Sequence, residues 1–123
     1  MKALLIVAHG SRRVESNDEV RELTVQMRQR AGNEYGDVRC AFLELAEPSI
    51  PDGIVQCVAQ GVTEVVVLPY FLSAGRHVAK DIPELVAQAQ AKVPHVKVRI
   101  APYLGLSAAL VDVLLGMAAK HSV

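Results

Sequence analysis

The chain has 123 residues, a hydrophobic fraction of 51%, and 13 basic against 13 acidic side chains. This length and composition predict a single globular domain over residues 1–123, and the zero net charge gives no reason to expect nucleic acid or an anionic membrane as a partner. No apolar run approaches the roughly 20 residues of a membrane span and the N-terminus lacks the pattern of a secretory signal, so we expect a cytoplasmic protein.

Four short runs rich in aliphatic residues predict β-strands, at residues 3–8, 38–43, 64–68 and 96–100. A segment with helical spacing follows each run. The first and third runs are almost continuously apolar, which is typical of strands covered on both faces. The pattern predicts an α/β fold, a three-layer αβα sandwich around a four-stranded parallel sheet with strand order 2-1-3-4.

The four predicted helices follow from apolar spacing and from start and stop residues. The first spans residues 14–31 and ends at Gly32; the second begins near Pro48 or Pro51 and ends before Gly61. The third begins at about Asp81, as a cap, and ends before Pro94. For the fourth, from Ser107 to Lys120, we predict a Ser107 cap and a buried stripe made of Leu110, Val113, Leu114 and Met117.

The loops after the first three strands carry the candidate chemistry, because ligands of parallel sheets bind beyond the carboxyl ends of the strands. His9 follows the first strand, Glu44 the second, and His77 lies in the loop after the third. If the first and third strands are neighbours, the two imidazoles can converge at one crevice. Two imidazoles and a carboxylate suit divalent iron, cobalt, nickel or zinc and leave coordination positions open.

Each of these histidines also has an ordinary interpretation, since His9 could hydrogen-bond the first helix and His77 could be a surface residue. Their joint placement at strand ends, beside Gly10 and Gly75, favours a site. Four basic side chains stand nearby and indicate either an anionic substrate or a solvated rim, namely Arg12, Arg13, Arg76 and Lys80. His95 and His121 are interpreted as incidental.

Three separated motifs carry a family resemblance: His9-Gly10-Ser11-Arg12, then residues 42–50 (FLELAEPSI), then residues 68–77 (LPYFLSAGRH) followed by Asp81-Ile82-Pro83. In these motifs, over essentially its whole length, the chain resembles the small CbiX-type sirohydrochlorin chelatases. The resemblance implies a class II chelatase fold and an enzyme that inserts a divalent metal ion into sirohydrochlorin or a related tetrapyrrole, in cobalamin or sirohaem biosynthesis. Cobalt is the first choice of metal, with iron or nickel as alternatives, and no organic cofactor is implied.

The resemblance also implies roles for the site residues. His9 and His77 would bind the metal and assist deprotonation, and Glu44 would be an accessory ligand or base. The substrate-binding residues are predicted to be Ser11, Arg12, Tyr70, Phe71, Leu72, Ser73, Gly75 and Arg76. Longer relatives resemble two fused copies of this domain, so a homodimer is expected, with apolar residues 70–72 serving either the dimer contact or the flat macrocycle.

Two other functions compete with the chelatase interpretation. A non-catalytic carrier of metal or tetrapyrrole would use the same ligands without turnover. A histidine phosphatase or mutase also places a His-Gly pair after its first strand, but there an arginine directly precedes the histidine, and here that position is Ala8.

Overall fold

The computed structural model describes residues 1–120 and, within them, every side chain except that of His77. Four parallel strands, β1 (Lys2–Ala8), β2 (Tyr35–Phe42), β3 (Glu64–Pro69) and β4 (Lys97–Ile100), form one sheet in the order β2-β1-β3-β4. The helices are α1 (Val14–Ala31), α2 (Ile50–Val58), α3 (Ile82–Lys92) and α4 (Ala109–Ala118), with a π-helical turn at His77–Asp81 and a 3-10 turn at Leu104–Leu106. The predicted fold class and strand order are confirmed.

The central strand β1 is covered on both faces, as its continuous apolar run predicts. Every residue from Ala3 to Ala8 is at most 6% exposed. Leu5 and Val7 pack in the core cluster that includes residues of α2 and α3, whereas Leu4 and Ile6 belong to the cluster on the α1 face. Alternation along the strand therefore sends successive side chains into two separate cores.

The two faces of the sheet are unequally covered. Two helices, α2 and α3, pack on one face and bury Ile50, Ile54, Ile82 and Val86 there. Among residues 1–120, α1 alone covers the other face, and its apolar residues Val20, Leu23 and Met27 are only half-buried. The residues of α1 that are buried are polar, Asn17 and Thr24. Part of the α1 face thus stays open to solvent.

The fourth helix is present at Ala109–Ala118 as predicted, but the prediction of its cap and of its buried stripe is wrong. The residue at its N-cap is Ala108 rather than Ser107, with no side-chain capping bond, and no residue of α4 is buried. Val113, Leu114 and Met117, expected in the core, are 54%, 56% and 63% exposed. The apolar stripe identifies a surface of α4 that favours burial, but the spacing does not show which surface covers it. Helix α4 does not bury this stripe against its own sheet.

The other helix ends depend on contacts of individual residues. Helix α2 begins at Ile50 because the Ser49 hydroxyl accepts a hydrogen bond from the backbone N–H of Asp52 at 3.2 Å, a cap that the proline-based prediction missed. Asp81 stands at the predicted position before α3, but its side chain makes no capping bond to the helix. The π-helical turn at His77–Asp81 runs directly into α3, so α3 does not start from a non-helical residue at this point.

Both cysteines, Cys40 and Cys57, are free thiols. Cys57 is fully buried, and burial, with a smaller contribution from Asp37, raises the pKa of its thiol to about 12. Cys40 is half-buried. A thiol that stays protonated and packed is a structural residue. Over residues 1–120, no helix is both long and apolar enough to cross a membrane.

Candidate functional site

At the end of β1, backbone hydrogen bonds connect this strand to the residues that directly follow its two neighbouring strands. The N–H of Tyr70 donates to the carbonyl of Val7 at 2.8 Å, and the N–H of Leu43 donates to the carbonyl of Ala8 at 2.9 Å. One residue further, the N–H of Glu44 donates to the carbonyl of His9 at 3.1 Å. The loops after β1, β2 and β3 therefore start side by side at one edge of the sheet.

His9 and Glu44 form the polar pair at this edge. The Nε2 atom of His9 lies 2.9 Å from Oε2 of Glu44, and the two side chains are 46% and 49% exposed. Two donor atoms that each bind one divalent ion at about 2.1 Å, at right angles, lie about 3 Å apart. The two side chains are thus within hydrogen-bond distance of each other, and the same spacing and donor types also suit two adjacent metal ligands with access to solvent.

Gly10 lets the two loops of this pair approach each other closely. Its φ is +92°, and a Cβ built on it would lie 1.8 Å from the backbone carbonyl oxygen of Glu44. No side chain fits in that space, and only glycine adopts this φ without strain. Glycine is thus required at position 10 for the contact between the loop of His9 and the loop of Glu44.

Asn17 holds the loop of His9 from the α1 side. This side chain is 6% exposed; its Oδ1 accepts from the N–H of Ser11 at 2.9 Å, and its Nδ2 donates to the carbonyl of Ser11 at 2.8 Å. Sequence reasoning did not single out Asn17. The sequence nevertheless contained a signal for it. Asn17 lies three residues before Val20, on the same face of α1, and an asparagine that faces the sheet needs a specific hydrogen-bond partner.

A cavity of about 290 Å³ combines residues of the first and third loops. It is lined by His9, Phe71, Ser73, Gly75 and Val78. Phe71 is half-buried and also packs against the core. The predicted meeting of the loops after β1 and β3 is therefore present, with one imidazole, one aromatic ring and one hydroxyl at the same cavity.

A second cavity, of about 330 Å³, is acidic. Its lining consists of Leu43, Glu44, Asp81, Glu84, Leu85 and Gln88. Glu44 borders it while also contacting His9, so the pair lies beside two further carboxylates. The sequence analysis assigned Asp81 to a helix cap and to a family motif but gave it no role in the site, and it did not consider Glu84. The described side chains, which exclude that of His77, contain no group of three or more His, Cys, Asp or Glu residues placed to hold a metal ion.

His77 is the first residue of the π-helical turn before α3. The same turn is fixed by a hydrogen bond from the N–H of Ala79 to the carbonyl of Gly75 at 3.0 Å. The side chain of His77 lies outside the described part of the chain, so the convergence of two imidazoles stays a prediction. His121 also lies outside the described residues.

The remaining predicted substrate residues do not all lie in the His9 cavity. Arg12 and Arg76 are exposed near the edge, and Ser11 is half-buried, with its hydroxyl accepting from the N–H of Arg13 at 3.0 Å. Leu72 is 70% exposed. Tyr70 lines a different cavity, on the α1 face, together with Leu23 and Met27. The residues 70–72, expected to form one apolar surface, are thus divided, since Tyr70 and Phe71 line different cavities and Leu72 is exposed.

The sequence also matches a protein-family model, CbiX, over residues 3–120. The chain belongs to the CbiX family. Its relatives include the chloroplastic sirohydrochlorin ferrochelatase of Arabidopsis thaliana, 43% identical over 111 residues, which are 90% of this chain and 48% of that protein. The sirohydrochlorin cobaltochelatase of Methanocaldococcus jannaschii is 35% identical over 86 residues, which are 70% of this chain and 59% of that protein.

A solved structure shares the fold. The sirohydrochlorin chelatase SirB from Bacillus subtilis subspecies spizizenii, in complex with cobalt, superposes with a TM-score of 0.83 and 29% sequence identity. The match covers 95% of this chain and 49% of that one. The chain thus spans about half the length of relatives that it matches, and its fold is that of the CbiX and SirB chelatases.

Proposed function

We propose that this protein is an enzyme that inserts a divalent metal ion into sirohydrochlorin or a closely related tetrapyrrole. The metal ion is a substrate, and no organic cofactor takes part. The observation that carries the proposal is the His9–Glu44 pair, 2.9 Å apart and half exposed at the mouth of a cavity, in a chain of the CbiX family. Named relatives of this family are sirohydrochlorin ferrochelatases and cobaltochelatases.

The pair supplies both chemical requirements of metal insertion. A nitrogen and an oxygen ligand bind the ion weakly enough to release it, because the remaining coordination positions are left to the macrocycle. As the ion enters, two pyrrole N–H protons must leave, and His9 or Glu44 accepts them as general base and passes them to solvent. The predicted second imidazole, His77, completes the ligand set.

The substrate is held by charge and by the cavity wall. Arg12 and Arg76 are exposed near the edge of the site and pair with the carboxylates of the tetrapyrrole. Phe71, Ser73 and Gly75 form the wall that contacts the flat ring. A cavity of about 290 Å³ is small for a whole macrocycle, which supports a homodimer whose second copy covers the other face of the ring.

Three finer points belong to the same proposal. Cobalt is the first choice of metal, with iron and nickel as alternatives; relatives named for iron and for cobalt both match. The pathway is that of cobalamin or sirohaem, and the location is the cytoplasm. Imidazole and carboxylate ligands accept all three metals, so the metal has to be measured.

The decisive experiment is an absorbance assay with the purified protein, sirohydrochlorin and each of cobalt, iron and nickel in turn. We expect insertion with at least one metal to exceed the rate without protein and to continue through many turnovers. A single equivalent of metallated product without further turnover would indicate a carrier instead. Rates equal to those without protein for every metal would contradict the proposal.

Replacing Asn17 tests whether the loop of His9 must be held. Asn17→Ala removes two hydrogen bonds of a buried side chain, so we expect a loss of about 1–3 kcal/mol in the free energy of unfolding and about a tenfold fall in insertion rate. Urea unfolding and the absorbance assay measure the two effects. Asn33→Ala, the same change at an exposed turn, serves as control and should alter neither. Full activity in a destabilised Asn17→Ala would mean that Asn17 acts on stability alone.

A further inference from the structure

Helix α1 carries a polar stripe on the side that contacts β2 and the loops of the site. Four side chains repeat on this stripe at intervals of three and four residues, namely Asn17, Arg21, Thr24 and Arg28. Asn17 and Thr24 are the two buried residues of the helix. A helix that covers a sheet normally buries apolar side chains there, because polar groups lose hydration on burial and need hydrogen bonds in return. The role of the stripe therefore depends on the hydrogen bonds that it makes.

Arg21 contacts the loop after β2, residues 43–48, and the residue before it. Its Nη2 donates to the carbonyl of Glu47 at 3.2 Å, and its guanidinium carbon lies 5.1 Å from the centre of the Phe42 ring. Its Nη1 donates to Oδ1 of Asp18 at 3.0 Å, which holds the guanidinium against α1. The planar guanidinium makes these contacts at the same time because its N–H donors point in several directions.

This loop is closed at its base. The N–H of Phe42, the last residue of β2, donates to the carbonyl of Pro48 at 2.9 Å. The chain therefore leaves the strand and returns to it at one point. Arg21 contacts both sides of that point, through the ring of Phe42 and the carbonyl of Glu47, and Glu44 lies between them in the sequence. Arg21 thus holds the base of the loop that carries the carboxylate of Glu44.

Backbone strain beside Glu44 explains why the loop needs such a contact. Leu45 has a φ of +66°, in the left-handed region that residues with a Cβ rarely adopt. Strained residues persist only where their surroundings hold them, and they concentrate at functional sites. Gly10 contacts this loop at the carbonyl of Glu44, and Arg21 contacts it at the carbonyl of Glu47. The strained segment is therefore held from two directions.

Arg28 makes the same kind of contact two helical turns further along α1. Its Nε and Nη2 donate to the carbonyl of Val38 at 3.2 and 2.7 Å. Val38 is buried inside β2. Arg21 and Arg28 thus share the residue type, the helix and a backbone carbonyl as acceptor. They differ in whether that acceptor belongs to the sheet or to a loop of the site, which makes Arg28 the matched control.

We infer that Arg21 is a positioning residue for metal insertion, which holds the loop of Glu44 so that this carboxylate stays 2.9 Å from Nε2 of His9. The inference rests on the proposed function and adds what maintains its metal-binding pair. Asn17, one turn earlier on α1, holds the loop of His9. Because both loops are bonded to one rigid helix, α1 keeps the two ligands at the spacing that one metal ion requires. Arg21 acts through Glu44 and contacts neither the metal ion nor the macrocycle.

The affinity for Co²⁺ alone is the first test, measured by calorimetric titration of the full chain. We expect Arg21→Ala to raise the Kd for Co²⁺ about tenfold, because loss of a group that orients a metal ligand costs about 10–100-fold in affinity. The kcat of insertion should fall by a similar factor, with an unchanged KM for sirohydrochlorin. Arg28→Ala should unfold at a lower urea concentration but keep both Kd and kcat. An Arg21→Ala protein with unchanged Kd or kcat, or an equal loss in Arg28→Ala, would overturn the inference.

A double-mutant cycle then shows whether Arg21 acts through Glu44. A Glu44→Ala protein has no carboxylate left to position, so we expect the further change Arg21→Ala to alter its Kd for Co²⁺ by less than about twofold. Asn17→Ala, which acts on the loop of His9, should still weaken binding about tenfold in the same protein. If Arg21→Ala weakens binding equally with and without Glu44, Arg21 acts on the fold as a whole and the inference is wrong.

Arg21→Met separates the hydrogen bond from the packing and covers the case in which Arg21→Ala does not fold. Methionine keeps the length of the side chain and a contact with the Phe42 ring, so the variant should unfold at nearly the same urea concentration as the unchanged protein. It has no N–H donor for the carbonyl of Glu47, and we expect the same tenfold rise in the Kd for Co²⁺. An unchanged Kd in Arg21→Met would contradict the inference, because the hydrogen bond to the loop carries it.

Binding of Co²⁺ needs no tetrapyrrole, so the inference and the proposed function can fail separately. Co²⁺ binding that depends on Arg21, without any insertion, would refute the function and leave the positioning of the pair intact. Insertion at the full rate by Arg21→Ala would refute the inference alone. An unchanged protein that binds no Co²⁺ would overturn both.

Discussion

His9→Ala is expected to lower the rate of metal insertion by at least about 100-fold and to leave the free energy of unfolding nearly unchanged. A positioned general base contributes a factor of about 10²–10⁴ to the rate, and the His9→Ala site would lose a metal ligand as well. Because its side chain is 46% exposed, its removal opens no cavity in the core. The absorbance assay and urea unfolding, run on the same preparations, measure the two quantities. An active His9→Ala protein would remove the basis of the site.

His77→Ala is expected to show the same loss of insertion rate, and this variant tests the second imidazole of the predicted site. His95→Ala is the matched control, since His95 lies exposed in the turn after α3 and should have no effect. Glu44→Gln separates charge from shape, because the amide keeps the size of the side chain and an oxygen near His9 but cannot take up a proton. Equal activity in His77→Ala and His95→Ala would contradict the two-imidazole site.

The sheet could be predicted from the sequence because its strands are marked by composition. A run such as Ala3–Ala8, buried on both faces, is typical of a central parallel strand. The strand order then determines which loops are neighbours, and it predicts that His9 and Glu44 lie at one edge of the sheet. Helix α1 begins at Val14 and ends at Ala31 as predicted, since Gly32 with a φ of 63° ends it.

The parts that the sequence did not predict depend on which particular side chains and backbone groups meet in the folded chain. Asn17 and Ser11 lie six positions apart, and nothing in composition shows that one side chain binds both backbone groups of the other. Glu84 and Glu44 line the same cavity only because α3 lies beside the loop that follows β2. The error at α4 has the same origin, because apolar spacing reports that a surface is to be covered and contains no information on whether the covering surface belongs to the same chain.

Gly10→Ala is expected to lower both stability and activity strongly. Alanine at a φ of +92° costs about 1–2 kcal/mol, and its Cβ would meet the carbonyl oxygen of Glu44 at 1.8 Å, so the loops must move apart. We expect a loss on the order of 3 kcal/mol in the free energy of unfolding. Displacing one loop by about 1 Å separates His9 from Glu44, and such displacements cost about 100-fold in rate.

Gly61→Ala is the control that separates the conformational part of this effect from the steric part. Gly61 has a φ of +83°, close to that of Gly10, but a Cβ there has no neighbour within 4 Å. We therefore expect Gly61→Ala to lose about 1–2 kcal/mol of stability, from conformation alone, and to retain full insertion activity. The difference between the two variants, in insertion rate and in free energy of unfolding, measures the effect of the contact between the loops of His9 and Glu44. If Gly10→Ala were as active as Gly61→Ala, the spacing of the His9–Glu44 pair would not matter for the reaction, and the pair would lose its role as adjacent ligands.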